Sequence, residues 1–463
     1  MSKIQCISPV DGSVYAERPV ADAAQVAALF ARSKAAQFHW AQLSVAERCT
    51  FCTAAVDALV AMKERIAREL AWQMGRPISQ GAGEVGGLEE RSRHMIAIAE
   101  ASLQPIDPGE KQGVVRRISH EPLGVIMTIA PWNFPFMTAL NSIVPALLAG
   151  NAVVLKHASN TLLVAERIQD AFDQAGLPEG VFQHIVLDHP GTAELIGSGN
   201  VDMVCFTGSV GGGKAMEQAA VGQFIALGLE LGGKDPAYVR ADCNLPYTIE
   251  NLADGAFFNS GQSCCSIERI YVHESIHAEF VAGLAAAGQA YRLGNPLEAT
   301  TNLGPMIKPA AADFVRQQVA DAVAGGAKTH VDTRKFPLDQ PGSAYMAPQV
   351  LTEVTHAMSI MTDESFGPVV GVIKVSSDEE AIALMNDSDF GLSAGIWTED
   401  LAAAERIAPQ LEAGTVFMNR CDYLDPALAW TGVKDTGRGC SLSALGFAAL
   451  TRPKSFNFKT STH

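Results

Sequence analysis

The sequence is poor in the features that would set it apart from ordinary globular enzymes. No stretch approaches the ~18 consecutive apolar residues that suggest a membrane span. No internal repeat or low-complexity segment breaks the chain. Basic residues are in deficit, 34 Lys and Arg against 50 Asp and Glu, and the formal net charge is −16. That balance argues against partners held by charge, such as nucleic acid or an anionic membrane. The eleven histidines show no H-E-x-x-H or similar spacing, so no metal is expected. The nine cysteines have no framework spacing. Cys49 and Cys52 form a lone C-x-x-C in an Ala-rich helical stretch, with no second pair to complete a metal site. The first residues carry neither the charged nor the apolar block of a signal peptide. A cytoplasmic setting, where thiols stay reduced, is therefore expected.

What is present suits a large α/β protein. A chain of 463 residues, 48% hydrophobic, can bury the cores of two or three domains. Residues 22–38 and 45–75 carry apolar residues at helical spacing, and Gly75, Arg76 and Pro77 punctuate the second stretch. Residues 114–120 alternate and predict an exposed strand. Strand candidates at 123–130, 152–155, 181–187 and 201–206 alternate with helix candidates at 137–148 and 161–175. A second block from about residue 236 adds a helix near 310–324 and strands near 369–375 and 413–418. Such alternation predicts parallel sheets with right-handed crossovers.

Four local patterns carry chemistry. Cys264 follows Gly261-Gln262-Ser263; a thiolate there can act as a nucleophile, and a small buried hydrophobe is the plain alternative. Glu230 lies in Leu-Glu-Leu-Gly-Gly-Lys, where partial desolvation would raise its pKa toward that of a general base. Asn133, in Pro-Trp-Asn-Phe-Pro at residues 131–135, brings an amide N–H to a strand end, where α/β folds place ligands. Residues 206–214, Phe-Thr-Gly-Ser-Val-Gly-Gly-Gly-Lys, set glycines at a strand-to-helix turn suited to a pyrophosphate.

Singly these patterns are modest. Their order and spacing together resemble the aldehyde dehydrogenase superfamily over nearly the whole chain. Further likeness lies in Glu-Ser-Phe-Gly-Pro (364–368), Asn-Asp-Ser-Asp-Phe-Gly-Leu-Ser-Ala (386–394), Gly-Thr-Val-Phe-Met-Asn (414–419) and Thr-Gly-Val-Lys-Asp-Thr-Gly-Arg-Gly (431–439). The resemblance implies NAD- or NADP-dependent oxidation of an aldehyde to its acid. It makes Cys264 the nucleophile, Glu230 the general base, and Asn133 with the Cys264 backbone N–H the oxyanion hole. It assigns the cofactor to Trp132, Lys156, Ser159, Gly208, Ser209, Gly213, Glu364 and Phe366. Lys156 falls on the adenosine ribose, and Ser159 stands where strict NAD users often carry a glutamate, so both cofactors are expected to be used.

By the same likeness the substrate tunnel takes Phe134, Thr138, Asn141, Ser263, Cys265 and the loop 420–424, with Arg420 and Tyr423. Asn141 replaces a bulky aromatic, and this favours a polar or anionic tail, such as that of succinic semialdehyde. Arg420 is open to two readings, as partner of a substrate carboxylate or of Asp422, and Phe134 with Tyr423 leaves an aromatic aldehyde open. Two departures stand out. Asn141-Ser142 replaces a Trp-Lys pair, and Gly-Cys-Ser at 439–441 replaces Gly-Arg-Glu, so proton exit from Glu230 needs water or other groups. The implied fold has a Rossmann-like cofactor domain (1–103 and 122–232), a catalytic α/β domain (233–433) and an oligomerisation arm (104–121 and 448–463) that makes a homodimer or homotetramer. A coenzyme A-acylating relative and a catalytically silent binding protein are the rival readings; the presence of Glu230, and of all three reacting groups, speaks against each in turn.

Overall fold

The computed structural model describes residues 2–461; the last two residues of the expected arm lie outside them. Two largely parallel sheets dominate. The first has six strands in the order Gly437–Arg438, Ala226–Glu230, Met203–Thr207, Val125–Ala130, Ala152–His157, Phe182–His184. All pairs are parallel except the edge pair of Gly437–Arg438 with Ala226–Glu230. The second has seven strands in the order Lys328–Thr329, Gln349–Thr352, Val369–Val375, Ile267–His273, Asp235–Val239, Ser393–Trp397, Thr415–Met418. Its central strands are buried along most of their length, as expected for sheets covered on both faces. A separate ribbon pairs Val114–Pro122 antiparallel with Thr451–Lys459 over nine residues. The alternating strand expected at 114–120 thus finds its partner in the C-terminal segment.

The N-terminal helices start where side chains satisfy free backbone N–H groups. Asp22 and Ser44 each form a capping box, for Ala23–Trp40 and Val45–Ala61. The single helical stretch expected at 45–75 is two helices, Val45–Ala61 and Lys63–Met74, which meet at Met62; Gly75 ends the second in the left-handed region at φ 81°.

The largest departure from expectation follows. Residues 78–102, read as no element, form the 25-residue helix Ile78–Ser102. Four glycines at 81, 83, 86 and 87 lower its helix propensity. Two of them serve packing. A Cβ on Gly81 would stand 2.5 Å from Ala67 Cβ, and one on Gly87 would stand 2.2 Å from Met137 Sδ. Glycine lets this helix approach Lys63–Met74 on one side and Pro135–Leu148 on the other. Leu88, Met95 and Ala99 join a core with Ile143, Val144 and Leu147. The Cys49/Cys52 pair lies in the helix Val45–Ala61, with Cys52 buried. Among the described residues no helix is long and apolar enough to cross a membrane.

Candidate active site

The site lies between the C-terminal ends of Val125–Ala130, Met203–Thr207 and Ala226–Glu230 in the first sheet and the segments that lead into Ile267–His273 and Val369–Val375 in the second. Strand Val125–Ala130 runs into Pro131-Trp132-Asn133, and the helix Pro135–Leu148 starts directly after. This turn is held by a buried frame. Arg76 pairs with Glu84 and donates to the Asn133 carbonyl. Glu84 in turn accepts from the backbone N–H groups of Phe136 and Met137 at 2.9 and 3.0 Å, a carboxylate on a helix N-terminus. The Asn133 amide donates to the Gln262 carbonyl at 3.2 Å, leaving its second N–H free for a ligand.

Cys264 sits on a sharply folded segment. Asn259 and Ser260 have φ of 52° and 58°, and Gly261 has φ 69° with a Cβ position only 2.1 Å from the Gly367 carbonyl oxygen. Gln262 locks the turn by donating to the Asn259 carbonyl at 3.0 Å and accepting from Ile307 N–H at 2.8 Å. The Gly232-Gly233 pair after Glu230 has a packing reason. A Cβ on Gly233 would lie 2.1 Å from the Cys264 carbonyl oxygen, and one on Gly232 would strike the Glu364 carboxylate. The neighbouring Cys265 is buried and donates to Asp422 at 2.8 Å. Hydrogen bonding with Cys264, then burial, raise the Cys265 thiol well above its ordinary pKa.

Glu230 ends the strand Ala226–Glu230. Its carboxylate accepts from Ser441 Oγ at 2.5 Å and from Thr207 Oγ at 3.4 Å. Burial pushes its pKa up, while the Ser441 hydroxyl, the Arg91 guanidinium and the Thr207 hydroxyl act in the other direction. Behind it a cavity of about 150 Å³ is lined by Ser441, Thr207, Ser142 and Asn141.

Cys264 opens onto two further cavities. One, of about 270 Å³, is walled by Trp132, Asn133, Gly208, Ser209, Glu364 and Phe366. The Trp132 and Phe366 rings meet edge to face at 5.6 Å. Ser209 caps the helix Val210–Ala219 by accepting from Gly212 N–H at 3.2 Å. Glu364 accepts from Gly233 N–H at 3.0 Å, and burial, then the nearby Glu268, push its pKa up to about 7. Three expected cofactor residues stand off this groove. Gly213 packs on Leu231, where a Cβ would come within 2.7 Å. Lys156 and Ser159 lie at the end of Ala152–His157 and in the turn after it, outside the groove lining; burial lowers the Lys156 pKa, with Asp188 opposing.

The other cavity, of about 410 Å³, takes in Phe134, Thr138, Asn141, Ser263, Cys265 and Tyr423 beside Cys264 and Glu230. Arg420 is placed differently from the tunnel position expected for it. It is exposed, and its guanidinium lies over the Tyr423 ring at 3.4 Å. Asp422 is bound instead by Ser263 at 3.1 Å and by Cys265. Burial raises Asp422 to about 6. Tyr423 donates to Glu90 at 2.6 Å, tying the loop to Ile78–Ser102. Sequence reasoning missed Arg76, Glu84, Glu90 and Arg91, all on or just before that glycine-rich helix. The one available signal was the acidic and basic run Glu89-Glu90-Arg91, which reads as a solvated face.

The aldehyde dehydrogenase family model matches residues 1–456, and the chain belongs to that family. It is 32% identical to the succinate-semialdehyde dehydrogenase [NADP(+)] of Mycobacterium avium over 97% of this chain and 96% of that protein. It is 35% identical to an aldehyde dehydrogenase of Paenarthrobacter nicotinovorans over 92% and 93%. Among solved structures, an NAD-dependent aldehyde dehydrogenase from Sinorhizobium meliloti superimposes with a TM-score of 0.94 at 31% identity, covering 100% of this chain and 92% of that one.

Proposed function

We propose that the protein oxidises an aldehyde to its carboxylic acid with NAD or NADP through a thioester on Cys264, and that its preferred aldehydes carry a carboxylate, as a short semialdehyde acid does. The observation that carries this reading is the position of Cys264 at the junction of two cavities, with Glu230 in one and Asn133 in the other. Cys264 Sγ adds to the carbonyl carbon, and the π electrons move to oxygen. The free Asn133 N–H and the Cys264 backbone N–H donate to that oxygen. The groove of Trp132, Ser209, Glu364 and Phe366 fits a nicotinamide dinucleotide, with aromatic rings at one end and a helix N-terminus at the other; these residues would hold it, and it would supply the hydride acceptor that conversion of the adduct to a thioester requires. Glu230 then takes a proton from water, the resulting hydroxide adds to the thioester, and Cys264 leaves as thiolate. Ser441 and Ser142, in the cavity behind Glu230, stand where the proton leaves. The raised Cys265 thiol supports Cys264 as nucleophile. The relatives named for NAD and for NADP support use of both cofactors, as does the lack of a carboxylate at Ser159.

The same reading takes residues 1–103 with 122–232 as the cofactor unit, 233–433 as the catalytic unit and the ribbon as an arm joining copies of the chain in the cytoplasm. The ribbon pairs with neither sheet, which supports that role. A panel of succinic semialdehyde, benzaldehyde and decanal, each with NAD and NADP, tests the proposal. The best kcat/KM is expected for succinic semialdehyde, and with NADP it should fall within about a thousandfold of that with NAD. A best value for decanal would refute the polar tunnel.

A further inference from the structure

Arg91 projects from the middle of Ile78–Ser102 into the cavity that holds Cys264 and Glu230. Among the described residues it has no hydrogen-bonding or ion-pairing partner, although four ionisable neighbours influence it: Glu84, Cys265, Asp422 and Glu230. Each of these is already committed. Glu84 holds Arg76 and two backbone N–H groups. Cys265 donates to Asp422, which also accepts from Ser263. Glu230 accepts from Ser441 and Thr207. Burial lowers the Arg91 pKa, with those neighbours opposing, and a guanidinium stays charged in any case. A half-buried charge without a partner is still costly, so one facing a cavity implies an anion that visits it.

A second observation points the same way. Asn141, on the neighbouring helix Pro135–Leu148, is buried, and among the described residues neither its amide nitrogen nor its amide oxygen has a hydrogen-bond partner. It lines the same cavity as Arg91. Gly87 packs against Met137, and Arg91 and Asn141 each come one turn later on their helices. A fork of N–H donors beside a free amide N–H matches a carboxylate, which can take two parallel bonds from the guanidinium and a third from the amide.

We propose that Arg91, assisted by Asn141, binds the carboxylate of an aldehyde acid whose carbonyl carbon lies at Cys264. This rests on the reading of the chain as an aldehyde dehydrogenase for anionic aldehydes, and it moves the anion-binding role from Arg420 to a residue on another element. Arg91 fixes the substrate by its far end and takes no part in the chemistry at Cys264.

The test compares kcat/KM for succinic semialdehyde with that for butanal, its neutral analogue, in the wild type and in Arg91→Gln and Arg91→Lys. In Arg91→Gln the ratio is expected to fall by about 100-fold or more, chiefly through KM for the acid aldehyde. Arg91→Lys keeps the charge without the fork and should recover part of the ratio. Glutarate, which offers a carboxylate without an aldehyde, should inhibit butanal oxidation competitively in the wild type and much less in Arg91→Gln. If Arg91→Gln does not fold, Asn141→Leu replaces it and should lower the same ratio by several-fold. A wild type that favours butanal over succinic semialdehyde overturns the reading of the substrate class. A wild type that favours the acid, with the preference kept in Arg91→Gln and Asn141→Leu, overturns the assignment of Arg91 alone.

Discussion

The two ends of the cavity beside Cys264 and Glu230 are built on opposite terms. At the reacting end almost every polar group is bound within the protein. Asn133, Asn259 and Gln262 hold one another, Ser260 donates to the Gly304 carbonyl at 2.8 Å, and Arg76 with Glu84 braces the turn from below. At the far end, among the described residues, neither Arg91 nor the Asn141 amide has a hydrogen-bonding or ion-pairing partner. An unsatisfied buried polar group costs about 1–3 kcal/mol, so the far end is stabilised by whatever fills it. The difference separates two tasks. Chemistry at Cys264 requires atoms held before the substrate arrives, whereas selection among aldehydes requires bonding capacity that only the right tail satisfies.

The sharpest way to break this comparison is at Cys264, the proposed nucleophile. Cys264→Ser should lower turnover by on the order of 10⁴-fold or more, while cofactor binding, followed by fluorescence, stays near the wild-type level. Cys265→Ser should keep most of the activity; the reverse pattern would place the nucleophile one residue on. Glu230→Gln comes next, with a loss of about 10²–10⁴-fold in the steady state. Rapid mixing should show a burst of reduced cofactor before the slow phase, because the proposed role of Glu230 is in thioester hydrolysis. A burst slowed in proportion to the steady state would contradict that role.

A smaller effect is expected at Ser441. Its hydroxyl stabilises the Glu230 carboxylate and so lowers a pKa that burial has raised. Removing the donor in Ser441→Ala leaves Glu230 protonated up to a higher pH. In its proposed role as base Glu230 works only when ionised, so the acidic limb of the kcat profile should move to higher pH, with a loss of a few-fold at mildly acidic pH and little change at alkaline pH. An unmoved limb would show that Ser441 does not govern the titration. The smallest effect concerns the wall that carries Arg91. Gly81→Ala adds about 1 kcal/mol of helix propensity, yet the new methyl group would meet Ala67 at 2.5 Å. Overpacking of about 1–3 kcal/mol should prevail, and the thermal midpoint should fall; a rise would mean that the two helices can separate at little cost.

Much of the reacting end was legible because its pieces are local. Pro-Trp-Asn-Phe-Pro, Leu-Glu-Leu-Gly-Gly-Lys and Gly-Gln-Ser-Cys are short turns whose residues each have a geometric or chemical reason to stand at a strand end. The far end was not legible in the same way. The Gly81–Gly87 stretch reads as a helix breaker until Ala67 and Met137 are seen against it, and Arg91 reads as one charge in a solvated run until that helix is placed over the cavity.

By itself the sequence determined the α/β alternation, the strands that lead into the turns, and the residue types able to attack, accept a proton and donate to an oxyanion. These follow from hydrophobic period and from side-chain chemistry, which are properties of neighbouring residues. Only the tertiary structure decided that Arg420 stacks on Tyr423 and is exposed, that Asp422 is taken by Ser263 and Cys265, that Ser441 reaches Glu230 across 211 residues of chain, and that Arg91 has no partner among the described residues. Which donor meets which acceptor depends on segments far apart in sequence being packed together, and no local pattern encodes that pairing.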